Sequence, residues 1–263
     1  MTRSFLKWAG GKHRVADALL RVTRDARPLN VDWDVRTGQR YHEPMMGSGS
    51  MYFRLRESGF ISSKKKSMLA DLNHILISMM TTVGDHESHE ALFSRLRELQ
   101  EDYPSDLPHP NPRGQEQDVR EQRMFYRKRR ELNRLASRLP ALSVHESIEL
   151  AALAIFLNKT CYNGLWRMNS HGHFNTPEGA YTRPKNIYQP DVIVACAGHL
   201  KQANLSCQDW RKSLARARPG DLVYIDAPYM PIKFGDQTFT DYFSAGFSMQ
   251  DQRDLVQLDL TQD

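Results

Sequence analysis

Apolar and polar positions near the N-terminus predict helices and strands in alternation. A helical pattern begins at Gly10-Gly11-Lys12. The segment Arg40–Pro44 leads into the glycine-containing run Gly47–Ser50, after which the spacing of apolar residues is again helical. The run Ser67–Asp71 predicts a short strand, and a further helix is predicted from Asn73 onward.

The middle of the chain is predicted to be mostly helical. Residues 90–101 and 118–138 have helical periodicity, and the proline-rich stretch 103–114 between them predicts a loop. The second of these helices mixes many basic residues with glutamates, which favours a solvated surface helix; a face that contacts DNA phosphates is the alternative. An apolar helix is predicted around Ala151–Leu157, followed by a polar stretch at 158–181 rich in Asn, Gly and aromatic residues.

Alternation of strands and helices resumes toward the C-terminus, at Val192-Ile193-Val194. The run Asp221–Asp226 predicts a buried strand that ends on a carboxylate. Together these elements predict an α/β fold, in which helices flank a parallel sheet. We expect residues 1–75 and 189–263 to form that domain, and residues 76–188 to form a mostly helical insertion.

The tetrapeptide Asp226-Ala227-Pro228-Tyr229 follows the last predicted strand. In open α/β sheets, ligands bind beyond the carboxyl ends of the strands. There, Asp226 and the carbonyl of Ala227 would accept hydrogen bonds from a planar amine, and Tyr229 would stack on its ring. A strand-end aspartate that caps a turn explains the same four residues, so the tetrapeptide alone leaves both interpretations open.

Two further features indicate a nucleotide-like ligand when they are taken together. Glycines in Glu43-Pro44-Met45-Met46-Gly47-Ser48-Gly49 stand between a predicted strand and a helix, where they allow close approach of a ligand to the backbone. A single Gly-x-Gly is also found in ordinary tight turns. Asp71 ends the next strand, where an α/β unit that binds adenosine keeps an acid for the ribose hydroxyls.

The polar run Asn158–Asn169, which continues to Pro177, combines Asn and Arg with interleaved aromatic residues. Asn and Arg contact purine edges in the major groove, and aromatic rings stack on bases. A structured polar loop that supports the core is the alternative. His171 and His173 have no cysteine or acid at metal-site spacing, so we predict no metal site and interpret them as polar loop residues.

Composition narrows the class of protein without deciding it. The net charge of +5 and the isoelectric point of about 9.1 are typical of nucleic-acid binding, although a basic protein with no polyanionic partner has the same values. Three cysteines without a Cys-x-x-Cys pair predict neither a disulfide framework nor a metal site. Apolar runs are too short for a membrane span or signal peptide, so we expect a cytoplasmic monomer.

In their order along the chain, these motifs are similar to those of the Dam family of DNA adenine methyltransferases (D12 class, alpha group). The resemblance runs from residue 4 to about residue 256, and the ordered set is far more specific than any single motif. The motifs are Phe5–Lys12, Glu43–Gly49, Asp71-Leu72-Asn73, Asn163–Asn169, Asp226–Tyr229, and Phe239-Thr240-x-Tyr242 with Gly246-Phe247-Ser248.

The resemblance implies a Rossmann-like, S-adenosylmethionine-dependent methyltransferase sheet with a mostly helical target-recognition insertion. It implies that the partner is double-stranded DNA, with GATC as the site read by relatives. Residues implied at the cofactor are Trp8, Lys12, Glu43, Gly47, Gly49, Asp71 and Asp226; those implied in catalysis are Asp226, Pro228 and Tyr229. Residues implied at DNA are Lys7, Asn163, Leu165, Arg167, Asn169, Pro177 and Tyr181.

The expected chemistry follows from the target. An adenine inside a duplex cannot present N6 to a methyl donor, so the base must be flipped into a pocket. Its exocyclic nitrogen is a weak nucleophile, and acceptors at Asp226 and the Ala227 carbonyl would favour a pyramidal nitrogen aimed at the methyl group. Direct transfer then depends on positioning and electrostatics, without a covalent cysteine intermediate.

The chain departs from the family pattern at two places. Ala227 stands where the family usually has proline, so the turn after Asp226 is expected to be looser. The chain ends at Asp263, whereas relatives continue with further strands; we expect a version extended by such strands to be more stable and more active. A DNA-binding member of the fold without turnover is therefore one alternative. Methylation of another planar nitrogen is a second, and Asn163–Arg167 favours duplex DNA over it.

Overall fold

A computed structural model describes residues 4–8, 18, 40–61, 64–103, 123–180, 186–228 and 247–257. Within these residues a four-stranded sheet has the order β3-β2-β1-β4, and all of its pairs are parallel. The predicted α/β class with a parallel sheet is confirmed. The strands are β1 (Tyr41–Glu43), β2 (Ser67–Asp71), β3 (Ala203–Cys207) and β4 (Leu222–Val223).

Helices follow the strands and fill the middle of the chain. They are α1 (Ser50–Glu57), α2 (His74–Gly84), α3 (His89–Asp102), α4 (Met124–Ala136), α5 (Val144–Thr160), α6 (Pro190–Leu200), α7 (Trp210–Leu214) and α8 (Met249–Val256). Short 3-10 turns lie at His86–Ser88 and Tyr162–Gly164. Predicted helices at 90–101 and around 151–157 are confirmed as parts of α3 and α5.

Helix α5 lies at the centre of the apolar core. A capping box fixes its first turn, since Ser143 accepts the Glu146 N–H and the Glu146 carboxylate accepts the Ser143 N–H. Its residues 150–158 are all buried, so this helix is apolar on every side rather than on one stripe. It packs against α2, α3 and α4. One apolar cluster therefore continues from the sheet into the predicted insertion, whose boundaries stay a prediction.

The ends of β1 and β4 are joined by a buried polar contact. Asp221 accepts the Arg40 N–H over 2.9 Å, and the Nε2–H of His42 donates to its other carboxylate oxygen over 2.9 Å. Burial lowers the pKa of His42, which is inaccessible to solvent. The contact lies at the amino end of β4, and it fixes the strand that leads to Asp226.

Two strand predictions require correction. The β-branched run Val192–Val194 belongs to α6, because Pro190 starts that helix and Ile193, Ala197 and Leu200 bury one of its faces. The predicted strand at 221–226 is wrong in length and burial, since only Leu222–Val223 pair and both are half-buried. Strand β1 has three residues, so it offers few backbone groups with which β4 can pair. Among the described strands, β1 is the one neighbour of β4.

Some predicted elements lie wholly or partly outside the described residues. The helix expected at 118–138 is described as α4 from residue 124, and its earlier part lies outside. The N-terminal helix after Gly10 and the loop at 104–114 also lie outside them. No helix in the described ranges is long and apolar enough to cross a membrane.

Candidate active site

The chain changes direction across the sheet between β1 and β4. From β1 it proceeds through β2 to β3 on one side, whereas β4 pairs with the other side of β1. In open parallel sheets, ligands bind outside the carboxyl ends of the strands at such a switch point. Glu43 is the last residue of β1 and Asp226 closely follows β4, so both lie at this edge.

Glu43 is buried at the switch point, where its surroundings favour the protonated form. Its Oε2 accepts a hydrogen bond of 2.8 Å from the hydroxyl of Tyr41, which is also buried. Burial, with smaller contributions from the negative charges of Asp226 and Asp71, raises the pKa of Glu43 to about 8. Asp226 and Asp71 therefore lie close enough to Glu43 to influence its pKa.

The glycine loop (residues 44–49) is attached to β2 by its own backbone amides. The Met46 N–H donates to the Ala70 carbonyl over 2.9 Å, and the Gly47 N–H donates to Oδ2 of Asp71 over 2.9 Å. Gly47 has a φ of 48°, in the left-handed region that residues with a Cβ disfavour. The loop is thereby held against the end of β2, and Gly47 contributes no side chain of its own.

Both carboxylate oxygens of Asp71 accept backbone amides. Oδ2 accepts the Gly47 N–H, and Oδ1 accepts the Asn73 N–H over 2.9 Å. Burial raises the pKa of Asp71. A carboxylate can accept about four hydrogen bonds, so lone pairs remain for a ligand. Its contact with ribose hydroxyls stays a prediction, and the structure adds that Asp71 fixes the glycine loop.

Trp8 lies between the glycine loop and a second region of the chain. A Cβ added at Gly47 would be 2.9 Å from Nε1 of Trp8, so the indole covers the loop directly. The same ring stacks on Trp166, with centroids 6.0 Å apart and planes inclined by 19°. Asn158 holds the preceding residue, because its amide exchanges two hydrogen bonds of 2.8 and 2.7 Å with the backbone of Lys7.

The residues after β4 continue toward the same edge. The Tyr224 N–H donates to the carbonyl of His42 over 2.9 Å, which extends the contact with β1 beyond the strand itself. Asp226 and Pro228 follow and are half-buried. Tyr229 and Lys12, which the sequence predicts at this site, lie outside the described residues.

Residues 161–179 fold back on themselves, and we call them the hairpin segment. Antiparallel bridges join Cys161 to Glu178 and Met168 to Phe174. The 3-10 turn at Tyr162–Gly164 opens the segment, with Asn163 at a φ of 52°. Its packing alternates, since Trp166 and Met168 are buried whereas Arg167 between them is exposed. One face of the segment thus supports the core while the other faces solvent.

The residues of this segment that were predicted to face DNA differ in their exposure to solvent. Asn163 and Arg167 are exposed, whereas Leu165 and Pro177 are half-buried. Nε of Arg167 donates to Oδ1 of Asn175 over 2.9 Å, and its terminal nitrogens bond to none of the described residues. The guanidinium is therefore oriented, with its two outer nitrogens directed away from this contact.

Other members of the polar run have structural roles. Oδ1 of Asn169 accepts the backbone amides of His171 and His173 over 3.0 and 2.9 Å, so its carbonyl stabilises the turn of the hairpin segment. Asn158 is fully buried against Lys7 and is unavailable to a base edge. Tyr181 lies outside the described residues. Core support is therefore confirmed for Asn158 and Asn169, whereas base contact by the exposed residues of the run stays a prediction.

Lys7 connects the N-terminus to the hairpin segment. A Cβ added at Gly164 would lie 2.6 Å from Cγ of Lys7, so the aliphatic part of the lysine crosses the glycine directly. Lys7 is exposed, as are the neighbouring Tyr162 and Asn163. These side chains together form a basic and aromatic surface at the start of the hairpin segment.

Sequence analysis missed several residues that hold this surface in place. Trp166 is 1% exposed, stacks on Trp8, and contacts the ring of Phe174 at a tilt of 46°. Glu178 is buried and accepts hydrogen bonds from Tyr103 and Arg123 over 2.8 and 2.6 Å. A tryptophan within an otherwise polar run was the signal available for Trp166. The partners of Glu178 are distant in sequence, so no local pattern indicates them.

Metal ligation gains no support from the described part of the chain. No group of three or more His, Cys, Asp or Glu side chains there is arranged to hold a metal ion. The rings of His171 and His173 have centroids 6.3 Å apart, and both are exposed at the turn of the hairpin segment.

Comparison with known proteins identifies the family. The family described as "D12 class N6 adenine-specific DNA methyltransferase" matches residues 8–261. A DNA adenine methylase of Serratia marcescens is 29% identical over 256 residues, covering 97% of this chain and 77% of the relative. One of Salmonella typhi is 30% identical over 257 residues, covering 97% and 75%. The type II methyltransferase M1.LlaDCHI of Lactococcus lactis subsp. cremoris is 28% identical over 254 residues, covering 95% and 73%. With nearly all of its length matched, this chain belongs to the D12 class of N6 adenine-specific DNA methyltransferases.

Proposed function

We propose that this enzyme flips an adenine out of double-stranded DNA and methylates its N6 amino group by direct displacement, with S-adenosylmethionine as the donor. One observation carries the proposal: Glu43, Asp71 and Asp226 converge beside a glycine loop at the switch point of a parallel sheet. In open α/β sheets, ligands bind beyond the carboxyl ends of the strands, so this edge of the sheet suits both a methyl donor and a planar base.

The described residues fit such a donor. The backbone at Gly47 carries no side chain, and any Cβ there would collide with Trp8. S-adenosylmethionine supplies an electrophilic methyl group on a cationic sulfur. Carboxylates at Asp71 and Asp226 suit that positive charge, whereas the raised pKa of Glu43 favours its neutral form, which can donate a hydrogen bond. Trp8, Glu43, Gly47, Gly49 and Asp71 would hold the donor, together with Lys12 by family resemblance.

Asp226 is assigned the central role toward the base. Its carboxylate would accept a hydrogen bond from the adenine N6 amine and take up the proton that the nitrogen loses. The Ala227 carbonyl would accept the second amine hydrogen, which favours a pyramidal nitrogen with its lone pair available. Pro228 would limit the turn, and Tyr229 would stack on the flipped ring by family resemblance.

The hairpin segment is assigned to DNA contact. Arg167 is oriented by Asn175 and has its outer nitrogens available, which suits bidentate contact with a guanine edge. Asn163 and Lys7 would lie against the duplex on the same surface, with Leu165, Asn169, Pro177 and Tyr181 around them. We propose GATC as the recognised site, and residues 76–188 as the target-recognition part of the chain.

The test is transfer of a tritiated methyl group from S-adenosylmethionine to plasmid DNA, followed by nucleoside analysis. We expect N6-methyladenine as the labelled product, and label confined to GATC in duplexes that differ at one base pair. Asp226→Ala should abolish transfer while thermal stability is retained. Glu101→Ala, which removes an exposed carboxylate of α3, is the matched control and should be fully active.

Each other outcome has a defined meaning. Label on cytosine or RNA would assign the enzyme another planar nitrogen. DNA and donor binding without any transfer would favour the DNA-binding alternative without turnover. Substantial activity in Asp226→Ala would remove Asp226 from the catalytic role.

A further inference from the structure

The basic side chains at α4 fall into two groups by burial, and those of the first group are half-buried. Arg123, immediately before the helix, pairs with the buried carboxylate of Glu178 over 2.6 Å. Lys128 pairs with a glutamate one turn further along the helix over 2.9 Å. The guanidinium of Arg129 lies 4.8 Å from the ring centre of Tyr126. These cations stabilise the helix and its attachment to the core.

The second group consists of Arg127, Arg130 and Arg134, which we call the arginine stripe. All three are exposed, and their spacing of three and four residues places them on one face of the helix. Phe125 and Leu132 are fully buried on the opposite face. Arg127 and Arg134 form no ion pair with any residue in the described ranges. The stripe therefore presents concentrated positive charge to solvent.

Helix α4 is attached to the hairpin segment at two points. The ion pair between Arg123 and Glu178 joins the start of the helix to the end of the segment. Near the other end, the amide of Asn133 accepts the N–H of Phe174 over 2.9 Å and donates to its carbonyl over 3.1 Å. Because Asn133 immediately precedes Arg134, the stripe has a fixed position relative to Arg167 and Asn163.

We propose that the arginine stripe contacts backbone phosphates of duplex DNA that flanks the methylated site. The proposal rests on the assignment of the hairpin segment to DNA. From Arg127 to Arg134 the helix axis advances about 10 Å, at about 1.5 Å per residue. One strand of a duplex places a phosphate at about every 3.4 Å of its axis, so a stripe of this length can lie beside more than one phosphate. Guanidinium groups also suit the geometry of phosphate oxygens.

The test compares DNA affinity as a function of salt for the full-length enzyme and for Arg127→Gln/Arg130→Gln/Arg134→Gln. Each phosphate contact contributes about −0.9 to the slope of log K against log salt concentration. We expect the slope of the variant to be shallower by about 2 to 3 between about 50 and 200 mM salt. The loss should be equal on cognate and non-cognate duplexes, because phosphates carry no sequence information.

Two matched variants test whether a change in the slope comes from the charge and the position of the arginine stripe. Lys64→Gln/Lys65→Gln/Lys66→Gln removes the same formal charge from exposed residues before β2, at the opposite edge of the sheet from Asp71. It should leave the slope near that of the parent. Arg127→Lys/Arg130→Lys/Arg134→Lys retains the charge and should recover most of the slope. Thermal midpoint and cofactor affinity should be the same in all variants, and the single Arg127→Gln and Arg134→Gln variants replace the triple variant if it does not fold.

An unchanged slope in the arginine-to-glutamine variants, or an equal change in the Lys64–Lys66 control, would overturn the proposal. Methyl transfer by the parent is measured separately on the same duplexes. Transfer to adenine with a slope that does not depend on the stripe refutes the stripe alone. A slope that depends on the stripe, without any N6-methyladenine, refutes the proposed methylation and leaves the DNA contact standing.

Discussion

Gly47→Ala tests the central contact of the site, in which Trp8 lies directly on the glycine loop. The added methyl group would be 2.9 Å from Nε1 of Trp8, which is closer than van der Waals contact allows. The indole would therefore have to move away from the loop. A donor that binds beside the loop and the indole should then bind less tightly.

Gly47→Ala should have two separate effects, one on folding stability and one on donor affinity. Gly47 has a φ of 48°, and an L-residue in the left-handed region costs about 1–2 kcal/mol. For a chain of this size, that corresponds to a fall in thermal midpoint of roughly 2–8 °C. The displaced Trp8 adds an effect on the donor, which we expect to be about a tenfold loss of affinity, equal to about 1.4 kcal/mol.

Gly59→Ala is the matched control. Gly59 has a φ of 67°, and a Cβ there meets nothing within 4 Å. It therefore carries the same kind of backbone penalty without the contact with Trp8. Calorimetric titration with S-adenosylmethionine and thermal unfolding should show similar destabilisation in both variants, with weakened donor binding in Gly47→Ala alone.

Two outcomes would refute this reasoning. Parent-like donor affinity in Gly47→Ala would mean that Trp8 and the loop do not form the donor site. Equal loss of affinity in both glycine variants would mean that general destabilisation, rather than the contact, controls binding.

The remaining predictions concern charge and DNA. Because the pKa of Glu43 is raised from 4.5 to about 8, its contribution to folding stability is fully present below its unfolded pKa and is lost as pH rises through about 8. In thermal unfolding, Glu43→Gln should therefore gain stability relative to the parent between about pH 5 and pH 8. A difference between the two proteins that does not change with pH would contradict this prediction. Gly164→Ala should weaken DNA binding by displacing Lys7, whereas Gly172→Ala, with a φ of 72° and nothing within 4 Å, should not; equal binding in gel-shift titrations would exclude Lys7 from the interface. Arg167→Ala should relax discrimination at one base pair by about 1–3 kcal/mol; an equal loss of affinity on all duplexes would instead identify a phosphate contact.

Elements that can be recognised from the pattern of neighbouring residues were predicted correctly. The strand at Ser67–Asp71 and the helix from Asn73 onward were predicted from the spacing of their apolar residues, and both are present. In the structure, Oδ1 of Asn73 accepts the N–H of Leu76 over 3.1 Å. Helix α8 begins after Ser248, which forms a capping box with Asp251.

Elements whose state depends on distant partners were missed or misjudged. The strand at Ala203–Cys207 has polar residues at Asn204 and Ser206 and is stabilised by its ladder with β2, which no local pattern shows. The run Val192–Val194 favours a strand by composition, but its position within α6 is decided by packing. The role of Asp71 in holding Gly47 also depends on a loop that lies far away in sequence.

The attachment of the hairpin segment has a practical consequence for protein engineering. Chimaeras that exchange residues 161–179 alone would separate Glu178 from Arg123 and Phe174 from Asn133, and would place an unmatched side chain against Trp8. The smallest transplantable unit is therefore the hairpin segment together with α4 and its preceding arginine, joined to a host that retains the tryptophan. In this protein, the exchangeable module is defined by its buried contacts and is discontinuous along the chain.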